Sequence, residues 1–331
     1  MRVPVPRPRW LRRRVRAALA ALFCLPLLAA IALASPAHAL TPARSSTTTT
    51  AVAKAATTAA KTTAACTVSA ILVPSCGAWW GMSPGGSANQ AAGLADFDKV
   101  TGTRSDIFHG YHQFGDLFPT PSERAIARDP AGKHLLMLNL MPTTGGRTWA
   151  QVAAGVQDAY LIQLAAYIET NFPEQFFMTI HHEPENDVIP TPGSGMEATD
   201  YAAMFRHVVT TLKAHGVSNV VFVMVYQGVQ NYKLDAWWPT MYPGDDVVDW
   251  VGWDVYSCVA PKAGGPCIDF AKMMNRRYSD RTPWLGMYAW AITNHPDKPI
   301  MIAEIGVYDV GGWKKHRVLR SIGEQVAQFP A

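Results

Sequence analysis

The sequence places chemically active side chains at the ends of two short apolar segments. The first segment, Phe176–Ile180, is apolar apart from one threonine and is followed by two histidines and Glu183. The second segment, Pro299–Gly306, has the sequence PIMIAEIG and carries Glu304. Apolar runs of this length are typical of strands buried on both faces of a parallel sheet. In α/β barrels the carboxyl ends of such strands hold the catalytic residues, so both glutamates are candidates for catalysis.

A pair of carboxyl groups is what the hydrolysis of a glycosidic bond requires. One carboxylic acid protonates the leaving oxygen, and a second carboxylate attacks the sugar or activates water. Glu183 follows the fourth predicted strand, and Glu304 lies on the seventh, 121 residues later. We therefore expect the two side chains to face each other across the mouth of a barrel.

Structural roles for these acidic residues are the open alternatives. Glu183 could cap the segment that begins at Pro184, and Glu304 could be half of a structural ion pair. The nearby Glu185 and Asp187 are interpreted as solvated loop charges.

The composition divides the 331 residues into three segments. Residues 1–39, with seven arginines, an apolar run and an A-x-A cleavage site, predict a secretory signal peptide. A membrane anchor is the alternative, although a proline interrupts the apolar run. Residues 40–65 are almost entirely Thr, Ala and Ser and predict a disordered tether. Residues 66–331 are long enough for one barrel-sized catalytic domain, so we expect a secreted, extracellular enzyme.

The charge of the predicted domain excludes some classes of partner. Residues 66–331 carry 19 basic and 25 acidic residues, a net charge of −6. This balance argues against nucleic acid and against an anionic membrane surface as partners. After removal of the signal peptide we expect no membrane association, and we expect a monomer.

The cysteine count predicts disulfide bonds. Four cysteines remain after the signal peptide: Cys66, Cys76, Cys258 and Cys267. An even number in an exported chain indicates two disulfides with three possible pairings. We favour the local pairs Cys66–Cys76 and Cys258–Cys267, each of which would close a loop of about ten residues. A zinc site is disfavoured because the sequence has no C-x-x-C spacing.

Strands alternate with helices along the predicted domain, which indicates a parallel sheet with right-handed crossovers. Seven such units predict an α/β fold, a (β/α)8 TIM barrel. Strand one is predicted at Ser75–Gly81, and one long helix at Thr148–Asn171. No G-x-G-x-x-G motif follows strand one, so nucleotide binding is not expected. No eighth strand is recognised before Ala331, so we expect a barrel truncated at its C-terminal end and prone to aggregation through its strand edges.

The combination of these motifs resembles glycoside hydrolase family 26. The His-Glu pair after strand four, the segment Tyr242–Tyr256 (YPGDDVVDWVGWDVY) and the PIMIAEIG strand carry the resemblance, which covers roughly residues 76–328. The family holds secreted, endo-acting enzymes, mostly β-mannanases with some β-1,3-xylanases and mixed-linkage β-glucanases.

The resemblance implies a role for four residues. Glu183 matches the family's acid/base, and Glu304 matches its nucleophile. His182 matches the histidine before the acid/base, and Tyr256 matches a tyrosine that hydrogen-bonds the nucleophile. Strict alternation along a strand would place His182 and Glu183 on opposite faces, so we expect a bulge at the end of strand four.

A polysaccharide groove should also present aromatic faces. Trp80, at the expected mouth of strand one, and Tyr226, at the end of strand five, are the predicted substrate-binding aromatic residues. The resemblance implies a retaining endo-β-glycosidase that hydrolyses a plant-type β-glycan, with β-1,4-mannan as the first candidate. β-1,3-Xylan and mixed-linkage β-glucan are the other substrates that the family implies. A carbohydrate-binding or inactive barrel is the alternative function.

No cofactor and no metal ion are expected. Acid/base and nucleophilic chemistry by two carboxyl groups needs neither. His181 and His182 are not expected to form a metal site, because adjacent residues cannot share one ligand face and no H-E-x-x-H motif is present.

Overall fold

The computed structural model describes residues 66–85, 89–229, 231–258, 267–277, 283–309 and 314–330. The predicted signal peptide and tether, residues 1–39 and 40–65, lie outside these ranges. Among the helices within them, none combines the length and the apolar character needed to span a bilayer.

Strands and helices alternate along the described chain. The strands are β1 (Gly81–Met82), β2 (Ile107–Gln113), β3 (Leu135–Met141), β4 (Phe176–Ile180), β5 (Val220–Gln227), β6 (Trp250–Ser257) and β7 (Ile300–Val307). The α-helices are α1 (Gln90–Thr101), α2 (Pro121–Ala127), α3 (Trp149–Ala153), α4 (Asp158–Asn171), α5 (Ala198–Ala214), α6 (Phe270–Met274), α7 (Met287–Asn294) and α8 (Lys314–Gln325). Short 3₁₀ helices include Pro184–Asn186 and Trp238–Met241.

The strands form one parallel sheet in chain order, from β1 to β7. Parallel neighbours must be joined by crossovers, and helices or loops supply them here. The sheet curls round on itself, because Tyr111 on β2 donates a hydrogen bond to Glu304 on β7 although five steps in the sheet separate these strands. The predicted (β/α) barrel architecture is confirmed, with seven strands within the described ranges.

The two faces of the sheet have different environments. Outward-facing side chains such as Phe176 pack with the helices in the main core. Inward-facing side chains such as Met137 and Phe177 form a smaller apolar cluster inside the curl. Two residues beyond Met137 on the same face comes Asn139, and Tyr111 occupies the paired position on β2. The interior is therefore apolar near the amino-terminal ends of the strands and polar near their carboxyl ends, where a barrel carries its site.

The segment before β1 packs against the inner face of the sheet. Leu72 belongs to the inner apolar cluster, and its carbonyl accepts a hydrogen bond from Trp79 Nε1 at 2.7 Å. The disulfide Cys66–Cys76 ties this segment into a loop, and Cys258–Cys267 follows β6. Both predicted pairings are confirmed.

Two predicted elements differ from the structure. The first strand is reduced to the two residues of β1, and Ser75–Trp80 is not part of the sheet. The helix expected over Thr148–Asn171 is split into α3 and α4, because Gly155 adopts a left-handed φ of 85° between them. Thr148 caps α3 through a reciprocal capping box with Gln151, as its position at the start of the pattern predicts.

Candidate active site

Glu304 lies beside an irregularity in β7 that turns its side chain into the barrel. Trp253 pairs with Ile302 and Asp254 pairs with Glu304, so Ala303 is an extra residue on β7. Ile302 packs toward the helices, and strict alternation would send Glu304 the same way. The bulge reverses this direction, as bulges beside active sites commonly do.

Three polar side chains surround the Glu304 carboxylate. The Tyr111 hydroxyl donates to Oε1 at 2.5 Å, and the Tyr256 hydroxyl donates to Oε2. His182 Nε2 lies 3.8 Å from Oε1. Burial raises the pKa of Glu304, but the two phenol hydrogen bonds and the nearby histidines outweigh it, so the net pKa lies below the ordinary value. Glu304 is therefore ionised at neutral pH, as a carboxylate nucleophile must be.

Glu183 stands at the start of the 3₁₀ helix that follows β4. Both Glu183 and His181 adopt left-handed backbone conformations, with φ of 49° and 52°. The Glu183 N–H donates to the Val225 carbonyl at 3.0 Å, which fixes the loop against β5. From the sequence, a bulge is expected at the end of β4 that lets His182 and Glu183 face the same side. In the structure, two residues with left-handed backbone conformations just after the strand change the side-chain direction instead. Non-glycine residues in this region are uncommon and often mark functional sites.

The protonation state of Glu183 differs from that of Glu304. Burial, and after it the negative charges of Glu304 and Glu185, raise the pKa of Glu183 to about 7, although a hydrogen bond from Asn186 lowers it. Asn186 Nδ2 donates to Glu183 Oε2 at 2.8 Å. A carboxyl group with a pKa near 7 can donate a proton at neutral pH. Two carboxyl groups whose pKa values are pushed apart are the usual mark of an acid and a nucleophile sharing one site.

Tyr256 hydrogen-bonds Glu304, the contact that the resemblance implies for it, and His182 also lies beside Glu304, a contact that the sequence did not predict. The Asn139 side-chain amide contacts His182 Nδ1, while Nε2 points toward Glu304. Burial lowers the pKa of His182, although the charge of Glu304 raises it. The ring is therefore held between Asn139 and the carboxylate in a fixed orientation.

Residues of β2 and β3 also contribute to the site, although the sequence did not predict them. Tyr111 bonds Glu304, and His109 stacks against the Tyr111 ring with centroids 4.6 Å apart. Burial lowers the pKa of His109 to about 4, so this imidazole is neutral in the working range of pH. The available signal was polar residues on alternate positions of an apolar strand: His109 and Tyr111 on β2, and Asn139 on β3.

Asp254 is a buried carboxyl group close to both glutamates. It is 2% exposed, and neither of its carboxyl oxygens has a hydrogen-bond partner within the described ranges. Burial raises its pKa well above the ordinary value, and the charges of Glu304 and Glu183 add to the effect. Asp254 also lines a pocket of about 280 Å³ with Glu183, Gln227 and Tyr256.

One group of side chains in the described ranges has the spacing of metal ligands. Potential ligand atoms of His182, Asp254 and Glu304 lie within 4.8 Å of one another. A cation held there would occupy the Glu304 carboxylate, so metal binding and nucleophilic attack by Glu304 exclude each other. The absence of a metal requirement stays a prediction.

Trp80 does not lie at the mouth of the barrel. Its carbonyl accepts hydrogen bonds from Asp106 and Ile107, at the amino-terminal end of β2. Tyr111 is four residues further along that strand, about 13 Å at 3.3 Å per residue. The structure therefore places Trp80 at the wrong end of the sheet for the predicted contact with substrate.

Tyr226 is fully buried and cannot line a groove. Its ring packs against Trp238 and Trp290, with centroid distances of 5.3 and 5.4 Å. Because side chains alternate along β5, Tyr226 faces the helices and the next residue, Gln227, faces the pocket. The predicted aromatic residue therefore lies one position before the residue of β5 that faces the site.

The interpretation of Glu185 as a solvated charge is also wrong. Glu185 is 2% exposed and accepts hydrogen bonds from Lys233 Nζ and from Trp238 Nε1, the latter at 3.2 Å. Asp187 is exposed, yet it contacts His181 Nε2 at 2.8 Å.

Removal of the Tyr256 hydroxyl should disturb the ionisation of Glu304. In a Tyr256→Phe variant the carboxylate loses one charge-assisted hydrogen bond, which we expect to raise the pKa of Glu304 and lower kcat about 10- to 100-fold. The pH–rate profile should show the acidic limb moved to higher pH. Tyr242→Phe, which removes a hydroxyl bonded to Asp245 outside the site, is the matched control and should leave that limb in place. An unmoved acidic limb in Tyr256→Phe would contradict the assignment.

Comparison with known proteins agrees with the geometry. The model of glycosyl hydrolase family 26 matches residues 192–275. This segment contains α5, β5 and β6 with Asp254 and Tyr256, and it contains neither of the two glutamates. The match confirms the predicted resemblance to family 26, and the class of protein that it indicates is the glycoside hydrolases.

Two further kinds of similarity were found. Endoglucanase H of Acetivibrio thermocellus is 27% identical over 243 residues, covering 72% of this chain and 25% of that protein. The chain thus spans about a quarter of the length of this curated relative. A GH26 β-mannanase from Bacteroides ovatus superposes with a TM-score of 0.47 at 18% identity, over 69% of this chain and 71% of that one. A GH26 endo-β-1,4-mannanase from Bacillus sp. JAMB-750 superposes with a TM-score of 0.42 at 16% identity, over 66% and 71% of the two chains. At these TM-scores the superpositions carry no functional inference.

Proposed function

We propose that residues 66–331 contain the catalytic domain of a retaining endo-β-glycosidase. The observation that carries the proposal is a pair of carboxyl groups, one just after β4 and one on β7, whose surroundings shift their pKa values in opposite directions. Glu183 has a pKa of about 7, and the pKa of Glu304 lies below its ordinary value. This is the state that a general acid and a nucleophile must have before a double displacement begins.

The first step of the reaction forms a covalent intermediate. Glu304 attacks the anomeric carbon while Glu183 gives its proton to the departing glycosidic oxygen, so the sugar becomes esterified to Glu304. Tyr111 and Tyr256 hold the two carboxylate oxygens in place for the attack. Retention of configuration implies that the two carboxyl groups work at a separation of about 5–5.5 Å.

The second step uses Glu183 in its ionised form. Esterification removes the negative charge of Glu304, which is one of the causes that raise the pKa of Glu183. The pKa of Glu183 then falls, and its carboxylate can take a proton from water as that water attacks the ester. The sugar leaves with its original configuration, and both glutamates return to their starting states.

The substrate that we propose is a plant-type β-glycan, with β-1,4-mannan first. β-1,3-Xylan and mixed-linkage β-glucan are the other candidates, and the similarity to an endoglucanase favours including the glucan.

Release of reducing sugar should be measured on mannan, β-1,3-xylan and lichenan, with the anomeric configuration of the first product read by NMR. A barrel that only binds carbohydrate would bind one of these polymers and release no reducing ends.

We further propose that the protein is exported. The basic and apolar character of residues 1–39 and the two disulfides support export, since disulfides persist in oxidising compartments. Fractionation of cells that express the full chain should place the mature protein outside the cytoplasm, and deletion of residues 1–39 should retain it inside.

The pH–rate profile should be bell-shaped. Glu304 must be ionised, so the rate falls as pH drops through its lowered pKa, below about 4.5. Glu183 must be protonated, so the rate falls again as pH rises through about 7. The profile of kcat/KM on the polysaccharide, which reports the free enzyme, should therefore have its maximum on the acid side of neutrality. A plateau that extends to pH 9 would exclude Glu183 as the acid.

A further inference from the structure

Next to the acid/base lies a buried ion pair that the proposed reaction does not use directly. The side chains of Glu185 and Lys233 are both completely buried and in direct contact. The Lys233 ammonium also lies over the Trp238 ring, 4.7 Å from its centroid, and Trp238 Nε1 donates to Glu185. Each charge is satisfied by partners within this cluster, as buried charges must be.

The ion pair is joined to β5 by the backbone of Gln227. The Gln227 N–H donates to both Glu185 carboxylate oxygens, at 3.2 and 3.1 Å. Glu185 is the central residue of the 3₁₀ helix Pro184–Asn186, so this contact fixes that short helix against the strand. A helix of three residues has almost no stability of its own and depends on such anchors.

A second set of contacts leads from Gln227 to the acid/base. The Gln227 side-chain Nε2 donates to Asn186 Oδ1 at 2.8 Å. Asn186 Nδ2 in turn donates to Glu183 Oε2, also at 2.8 Å. A continuous series of hydrogen bonds therefore connects the buried Lys233–Glu185 pair with the carboxyl group at the cleft.

We propose that Glu185 and Lys233 are positioning residues for the acid/base. Through Gln227 and Asn186 they hold the Glu183 carboxyl in the orientation in which it reaches the glycosidic oxygen. The inference rests on the proposed function for Glu183. It assigns the pair a role in orientation, because neither side chain is exposed to the cleft where substrate would bind.

Several titratable and charged groups on the neighbouring elements lie close to Glu183. Glu304 on β7 and Asp254 on β6 face it, as does the Tyr256 phenol, and Arg276 lines the same pocket. Of the proposed pair, Glu185 raises the pKa of Glu183 and Lys233 lowers it. The pair therefore adds little net charge to the field of the site, and its orienting effect can be tested by neutral substitution.

The central experiment replaces both members of the pair at once. A Glu185→Gln/Lys233→Met double variant removes the two charges together and leaves no unpaired buried ion. We expect cooperative unfolding near the wild-type temperature, with kcat on polysaccharide reduced about 100-fold because the acid is misplaced. An aryl glycoside with a good leaving group needs no acid in the glycosylation step. For this substrate the rate of glycosylation should therefore fall less than about threefold. Equal losses on both substrates, or no loss on either, would overturn the proposal.

A matched control and a measurement without substrate complete the test. Asp246→Asn removes one charge of the exposed Arg206–Asp246 pair and should change neither rate. A crystal structure of the double variant without substrate is the second readout. It should show the Glu183 carboxyl out of its wild-type place, with the hydrogen bond from Asn186 lost. An unchanged Glu183 side chain would overturn the proposal even if the wild-type protein hydrolysed no glycan, so this failure is distinguishable from failure of the proposed function.

Discussion

A Glu304→Ala variant is expected to lose at least about three orders of magnitude in kcat, because no other group described at the site can form the covalent intermediate. Asp254 is an alternative carboxyl group, but burial raises its pKa well above the ordinary value and so disfavours the ionised form that could attack. The loss should appear in kcat more than in KM, since attack is made only in the transition state. The measurement is initial-rate kinetics on mannan and on an activated aryl glycoside.

The space left by the Glu304 side chain gives this experiment a second readout. Azide is a small anion that can occupy it and attack the anomeric carbon from the same face. With an activated aryl glycoside the variant should then release a glycosyl azide of inverted configuration, which NMR identifies directly. Glu169→Ala, which changes an exposed glutamate on α4, is the matched control and should show wild-type rates with no azide product. Near-normal turnover in Glu304→Ala would remove Glu304 from the nucleophile's role.

The parallel order of the strands could be predicted because apolar runs alternate with helical patterns along the sequence. Continuous apolar runs such as Phe176–Ile180 and Val220–Gln227 fit strands buried on both faces, and the helical patterns between them leave only parallel crossovers. The two glutamates could be found because a charged residue at the end of such a run has few structural uses. The irregular parts were less predictable. Gly155 breaks one expected helix into two, and a single glycine in a helical pattern gives only a weak signal.

The details of the site depend on geometry that strand periodicity does not encode. The extra residue Ala303 on β7 decides which way Glu304 points, and one inserted residue leaves no mark in an apolar strand. The aromatic ring of Tyr226 suggests a contact with sugar, whereas the alternation of β5 turns that ring toward the helices. The partner of Glu185 lies 48 residues away at Lys233, in a loop whose path cannot be derived from local pattern. A lysine in a loop is normally expected to be solvated. Only the packing of Lys233 against Trp238 in the structure shows that it is buried.

The Glu183→Ala variant should separate the two halves of the proposed mechanism. The need for a general acid grows as the leaving group becomes poorer. A sugar alcohol leaves poorly, so cleavage of mannan should fall by about two to four orders of magnitude. A dinitrophenolate leaves well without a proton, so the first step on a dinitrophenyl glycoside should stay near the wild-type rate.

The second step should then become rate-limiting on the activated substrate. Without Glu183 no carboxylate takes the proton from the attacking water, so the ester on Glu304 should accumulate. Rapid mixing should show a burst of dinitrophenol equal to the enzyme concentration, and mass spectrometry should find one sugar attached to Glu304. The basic limb of the pH–rate profile near pH 7 should disappear, because the group whose pKa lies at about 7 is gone. Equal losses on mannan and on the activated glycoside, with no burst, would show that Glu183 supports the fold of the loop after β4 and does not transfer the proton.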